Sequence, residues 1–154
     1  MNKKVSHKSK IIQPKTLVGW REWIELPDLG IQKIKAKIDT GAKTSTLHAF
    51  DVQPFKQKGK DKVRFDIHPL QRNTRIVVSC IADIIDRRWV TDSGGHKELR
   101  YVIETTMVLG GTSWKIEMTL TNRDNMQFRM LLGRAAMRKR LIVNPTASFI
   151  IGKK

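Results

Sequence analysis

The chain has 154 residues, of which 40% are apolar, enough for one domain around a single core and too few for two. Thirty Lys and Arg against fourteen Asp and Glu give a formal net charge of +16, which favours encounters with polyanions. No zinc-finger spacing, helix-turn-helix or RNA-stacking pattern accompanies that charge, so specific nucleic-acid recognition is not expected. No apolar run approaches the roughly 20 residues that span a bilayer, and the polar, basic start is not of signal-peptide type. Cys80 is the only cysteine, which excludes an intrachain disulfide and makes the cytoplasm the simplest expected setting.

Residues 1–14 read as a disordered basic tail and 15–154 as one domain. Leu17 to Leu26, with Trp20, Trp23 and Ile24, suits a strand, and Pro27-Asp28-Leu29-Gly30 a turn. Ile31 to Ile38 completes a hairpin in which Ile34, Ala36 and Ile38 face one way and Lys33, Lys35 and Lys37 the other. Pro54 to Lys62 is basic and polar and is expected to be a loop. Val63 to Ile67 and Ile76 to Ile85 read as strands, the second largely buried, with Cys80 a buried strand thiol among Val77, Val78, Ile81 and Ile84. Asp86 to Lys97, with Gly94-Gly95, is expected to be a mobile loop or hairpin tip. Arg100 to Leu109 and Trp114 to Leu120 flank Gly110-Gly111, a strong hairpin signal. Phe128 to Leu132 reads as an apolar strand ending at Gly133, and only Gly133 to Leu141 looks helical, with Arg138, Lys139 and Arg140 at its C-terminal end. Many short strands and one short C-terminal helix indicate a mainly β fold, a small closed or nearly closed barrel.

The candidate chemistry lies at Ile38-Asp39-Thr40-Gly41-Ala42. A carboxylate at the end of a strand stands where the backbone turns away and a ligand can approach. Gly41 allows the main chain to pass close by and to adopt torsions a side chain forbids, and the Thr40 hydroxyl can lock the loop through a backbone group. A second Asp-Ser-Gly, Asp92-Ser93-Gly94, has no apolar strand leading into it and reads as a loop turn.

The Asp-Thr-Gly-Ala loop, followed downstream by Leu131-Leu132-Gly133-Arg134, resembles the retropepsin-like aspartic proteases. The first half, with Gly19-Trp20-Arg21-Glu22-Trp23-Ile24-Glu25-Leu26-Pro27 before the aspartate strand, is similar to a bacterial branch once labelled ATP-dependent zinc protease. That branch has since been grouped with retropepsin-like endopeptidases associated with ribosomal modification. The resemblance covers Leu17 to Ile142. It implies a retropepsin-like barrel, Asp39 as the catalytic residue, Thr40, Gly41 and Ala42 shaping the loop, and Leu131, Leu132, Gly133 and Arg134 supporting it. It also implies a flap near the second Asp-Ser-Gly.

Peptide hydrolysis by this route needs two carboxylates sharing a proton. One convincing aspartate per chain, in a chain too short for the two-lobed arrangement, implies a homodimer. Retropepsins usually carry an apolar residue where Lys37 stands and an acid where Lys43 stands; the latter normally helps hold the arginine matched by Arg134. If these lysines face the cleft they favour an acidic protein or peptide substrate; if they are solvated surface groups they do not. No cofactor is expected: His7, His48, His68 and His96 are scattered without metal-ligand spacing, and Gly110-Gly111-Thr112 is no phosphate loop. The alternative is a non-catalytic barrel of the same fold that docks a ribosome-associated partner or an ATP-grasp ligase.

Overall fold

The computed structural model describes residues 14–92, 94–122 and 127–151. The basic tail expected at 1–14 lies, apart from Pro14, outside them. In chain order the strands are β1 (Thr16–Val18), β2 (Arg21–Leu26), β3 (Ile31–Ile38), β4 (Ser45–His48), β5 (Phe50–Gln57) and β6 (Lys60–Ile67). β7 (Val78–Thr91), β8 (Lys97–Leu109), β9 (Thr112–Thr121), β10 (Met130–Leu132) and β11 (Leu141–Val143) follow, with the helical turn α1 (Arg134–Met137) before β11.

Six strands close into a barrel in the order β2-β3-β10-β4-β9-β8, sealed where Glu25 of β2 meets Val108 of β8. β8 is long enough to serve two neighbours along one edge. Its far end pairs with β2, while Lys97 to Ile103 pair with β7. β7, β6 and β5 therefore extend the sheet beyond the barrel as an arm. β1 and β11 form a separate parallel pair.

The core follows from strand alternation. On β3, Ile34, Ala36 and Ile38 are buried, as are Ile24 and Leu26 of β2 and Met118 and Leu120 of β9. Lys33, Lys35 and Lys37 take the opposite face, as expected. Leu109-Gly110-Gly111-Thr112 is a tight hairpin in which Gly110 holds φ at 61°. Among the described residues no helix is long and apolar enough to cross a membrane.

Several sequence expectations are corrected. Pro54 to Lys62 is no loop but most of the β5–β6 hairpin, turned by Lys58 and Gly59 with φ of 53° and 80°. From Pro54 to Lys62 every residue is exposed or only half-buried, so no apolar alternation marks this end of the hairpin, whereas Val63, Phe65 and Ile67 beyond it are buried. The strand foreseen at Ile76 to Ile85 begins at Val78 and runs to Thr91, and it is not largely buried. Ile76, Val77, Ile81 and Ile85 are each 44–55% exposed, because the arm covers only one face of β7. Of the mobile loop or hairpin tip foreseen at Asp86 to Lys97, a hairpin tip is found, confined to the turn between Thr91 and Lys97, with Asp86 to Thr91 in β7. Leu17 to Leu26 is broken at Gly19 and Trp20, where the C-terminal segment crosses so closely that a Cβ on Gly19 would lie 2.3 Å from the Ala147 carbonyl oxygen. The helix foreseen from Gly133 to Leu141 is a single turn: Lys139 adopts φ of 65° and the chain re-enters a strand at Leu141.

Candidate active site

β3 ends at Ile38, and Asp39 is the first residue beyond it, half-buried. β10 runs parallel to β3, with Leu132 opposite Ile38, and antiparallel to β4, with Met130 opposite Leu47. The Asp39–Thr44 loop thus leaves one neighbour of β10 and returns as its other neighbour. The loop is fastened from below by main-chain bonds. Asp39 N–H donates to the Leu132 carbonyl (2.8 Å), Arg134 N–H to the Ala42 carbonyl (2.8 Å) and Ala135 N–H to the Lys43 carbonyl (2.9 Å). Leu131, Leu132, Gly133 and Arg134 are therefore where a supporting strand would put them. Gly133 has no room for a side chain: a Cβ would lie 2.7 Å from the Thr44 carbonyl carbon.

Around the carboxylate, Gly41 N–H donates to Asp39 Oδ1 at 3.0 Å. Gly41 does not use a left-handed torsion as expected; its value is space, since a Cβ would stand 3.3 Å from the same oxygen. The lock foreseen at the Thr40 hydroxyl is also elsewhere. Among the described residues that hydroxyl makes no hydrogen bond, and the buried Ser45 hydroxyl accepts from Gly133 N–H at 3.0 Å instead. Thr40 contributes its carbonyl, which accepts from Arg134 Nη1 at 3.3 Å. With Lys43 in place of an acid, Arg134 has no carboxylate partner among the described residues.

Asp39 opens onto a groove of about 1500 Å³ walled by the loop, β8, β9 and the β7–β8 hairpin. Lys37 and Lys43 both line it, as do Lys115, Arg88, Arg100 and Arg140. Arg100 was not foreseen, since it reads as one more charge in a strand. It is 6% exposed; its Nε donates to Glu98 Oε1 (2.8 Å) and its Nη1 to Thr119 Oγ1 (3.4 Å). Thr119 Oγ1 in turn lies 3.2 Å from the Thr46 hydroxyl, so the guanidinium is fixed in a network on the groove wall. A planar cation held this way offers its remaining N–H groups to a carbonyl or carboxylate.

Arg88 to Asp92 of the β7–β8 hairpin line the groove. Arg88 bridges Asp86 Oδ2 (2.6 Å) on its own strand and Glu117 Oε1 (2.9 Å) on β9. The bond from Arg88 holds the Asp86 carboxyl below its usual range, and both acids hold Arg88 more firmly protonated. Asp92 behaves as the loop turn expected of it: Oδ1 accepts from the N–H groups of Gly94 and His96, each at 2.9 Å. Ser93 lies outside the described residues. Trp89, 70% exposed, was not singled out beforehand and also borders the groove.

His48 is buried in β4 and does not line the groove; His68 stacks on Phe50, and His96 belongs to the hairpin turn. His7 lies outside the described residues. Among the described residues no set of three His, Cys, Asp or Glu side chains is arranged to hold a metal.

A family model described as Retropepsin-like aspartic endopeptidase RimB matches residues 17–154. A Shewanella pealeana protein named probable alpha-L-glutamate ligase is 46% identical over 140 residues, covering 91% of this chain and 31% of that protein. A Desulfotalea psychrophila protein of the same name is 47% identical over 139 residues, covering 90% and 30%. The chain therefore spans about a third of the length of the curated relatives it matches. Among solved structures, a Legionella pneumophila protein of unknown function superposes with a TM-score of 0.73 at 27% identity, covering 90% of this chain and 99% of that one.

Proposed function

The chain belongs to the RimB-like family of retropepsin-like aspartic endopeptidases, and on that footing we propose that it hydrolyses peptide bonds with Asp39 as its catalytic carboxylate. The observation that carries this reading is the placement of Asp39: half-buried at the end of β3, hung from Leu132, with Oδ1 held by Gly41 N–H and the groove alongside. A carboxylate held firmly beside a peptide-sized groove is what activation of water requires.

The chemistry needs a second carboxylate about 3 Å away, so that the pair shares one proton. One member then takes a proton from water while the other donates to the scissile carbonyl oxygen. The second member is Asp39 of another copy, related by a twofold axis through the loop. The β1–β11 pair supports this. Leu17 and Ile142, directly opposite in register, are 47% and 52% exposed, and among the described residues the pair has no further strand on either side. It leads to Trp20, whose carbonyl accepts from Ile38 N–H at 2.8 Å, so this apolar edge is near Asp39. The cations along the groove favour an acidic protein or peptide substrate.

The second reading is a binding module without catalysis. It is favoured by the relatives, which are named as ligases and of which this chain matches only about a third. The two readings part at Asp39→Asn. As an enzyme, the variant loses roughly 10²-fold or more in peptide hydrolysis while still binding peptide; retained hydrolysis excludes the mechanism.

A further inference from the structure

Lys33, Lys35 and Lys37 occupy alternate positions of β3, on the outward face of the strand that delivers Asp39. Lys37 lines the groove. Across the ladder, Arg21 stands opposite Lys37 and Trp23 opposite Lys35. The C-terminal segment adds Phe149, stacked on Trp23 with ring centroids 5.8 Å apart. The cations crown these rings: Lys33 Nζ lies 4.2 Å and Lys35 Nζ 5.2 Å from the Trp23 centroid, and the Arg21 guanidinium 5.0 Å from that of Phe149. The result is a basic ledge with an aromatic bed, continuous at Lys37 with the groove.

We propose that this β2–β3 ledge is a docking surface for an extended, acidic stretch of the polypeptide whose neighbouring residues occupy the groove. The inference rests on the groove being a peptide site but assigns the ledge a separate role, capture outside the reacting segment. Three features select this occupant. The outward face of β2 and β3 carries four cations, Arg21, Lys33, Lys35 and Lys37, against one carboxylate, Glu25, a charge complementary to an acidic chain. Lys37 belongs to both the ledge and the groove lining, so one chain can lie on both. The rings of Trp23 and Phe149 are engaged with each other and with cations, which leaves them poorly disposed to stack on nucleic-acid bases.

Binding tests this without relying on turnover. The full chain carrying Asp39→Asn is titrated with a fluorescein-labelled dodecapeptide alternating glutamate and serine, and with a labelled dodecauridylate. Lys33→Glu with Lys35→Glu is expected to weaken the peptide by about tenfold or more, whereas Lys58→Glu with Lys60→Glu, an equal change of charge on the β5–β6 turn, leaves it within about twofold. Lys33→Arg with Lys35→Arg keeps the affinity, which separates lost charge from lost folding. An equal loss in the β5–β6 variant, no loss in the ledge variant, or a ledge that prefers the uridylate overturns the proposal. Because Asp39 is already replaced, absence of proteolysis does not bear on this result, and a failure of the ledge leaves the Asp39 reading standing.

Discussion

The backbone N–H of Gly133 donates to the buried hydroxyl of Ser45 at 3.0 Å, tying the strand beneath Asp39 to the strand that begins beyond its loop. Ser45→Ala leaves that N–H unsatisfied away from water and should cost about 1–3 kcal/mol, seen as a fall of several degrees in the thermal midpoint. Gly133→Ala is expected to be worse, roughly 2–4 kcal/mol, because the new Cβ meets the Lys43 and Thr44 backbone rather than a movable side chain. Unfolding curves that coincide with the parent protein would remove this support from the account.

Glu22 is fully buried, and its carboxylate accepts from Gly19 N–H (2.6 Å), Ile150 N–H (2.9 Å) and Ile151 N–H (3.2 Å). It fastens the C-terminal segment across the start of β2. Glu22→Ala strands these donors and should destabilise the protein by several kcal/mol, about 1–3 for each donor left unpaired. Amide exchange at Ile150 and Ile151 is expected to accelerate far more than at β8 and β9. Uniform acceleration would mean that Glu22 serves the barrel as a whole rather than this segment.

Cys80 lies in β6–β7 packing, its thiol donating to the Leu29 carbonyl at 3.4 Å. Burial, with a smaller contribution from Asp66, pushes its pKa up to about 12. At pH 8 almost no thiolate is present, so iodoacetamide should label the native protein negligibly and the unfolded protein at the rate of an ordinary cysteine. Native labelling at that ordinary rate would contradict the burial.

The Asp86 carboxyl is lowered in the folded protein chiefly by the hydrogen bond from Arg88. A lowered folded value means that the pair supports the folded hairpin above the ordinary carboxylate range. This support fades as the pH falls through the lowered value, below about pH 4. Trp89 reports the change from the neighbouring position, so its fluorescence should shift on acidification in that window, and Asp86→Asn should abolish this transition. An unchanged acid transition in the variant would separate Arg88 from the movement of the hairpin.

Where burial was one-sided, the sequence was enough. The alternation of Ile34, Ala36 and Ile38 with three lysines placed β3 to the residue, and Asp39 followed at its end. Where both faces were wet or both buried, alternation carried no signal. Pro54 to Lys62 of the β5–β6 hairpin read as a loop, and β4, whose four residues Ser45-Thr46-Leu47-His48 are all buried, went unnoticed because three of them are polar. The hydroxyls of Ser45 and Thr46 are met by Gly133 and Thr119, partners distant in sequence that no local pattern announces. For the same reason Arg100 and the Arg88–Glu117 bridge became visible only once β7, β8 and β9 were seen to curl around one groove.

The central claim is that one catalytic unit takes an Asp39 from each of two copies, and mixing tests it most directly. Unfolded parent protein and Asp39→Asn protein are combined in equal amounts, refolded together, and assayed for hydrolysis of an acidic peptide. Random pairing leaves both aspartates in only about a quarter of the dimers, so activity should fall to about a quarter of that of the parent protein alone. Activity of one half, proportional to the parent chains present, would show that each chain works by itself and would contradict the account.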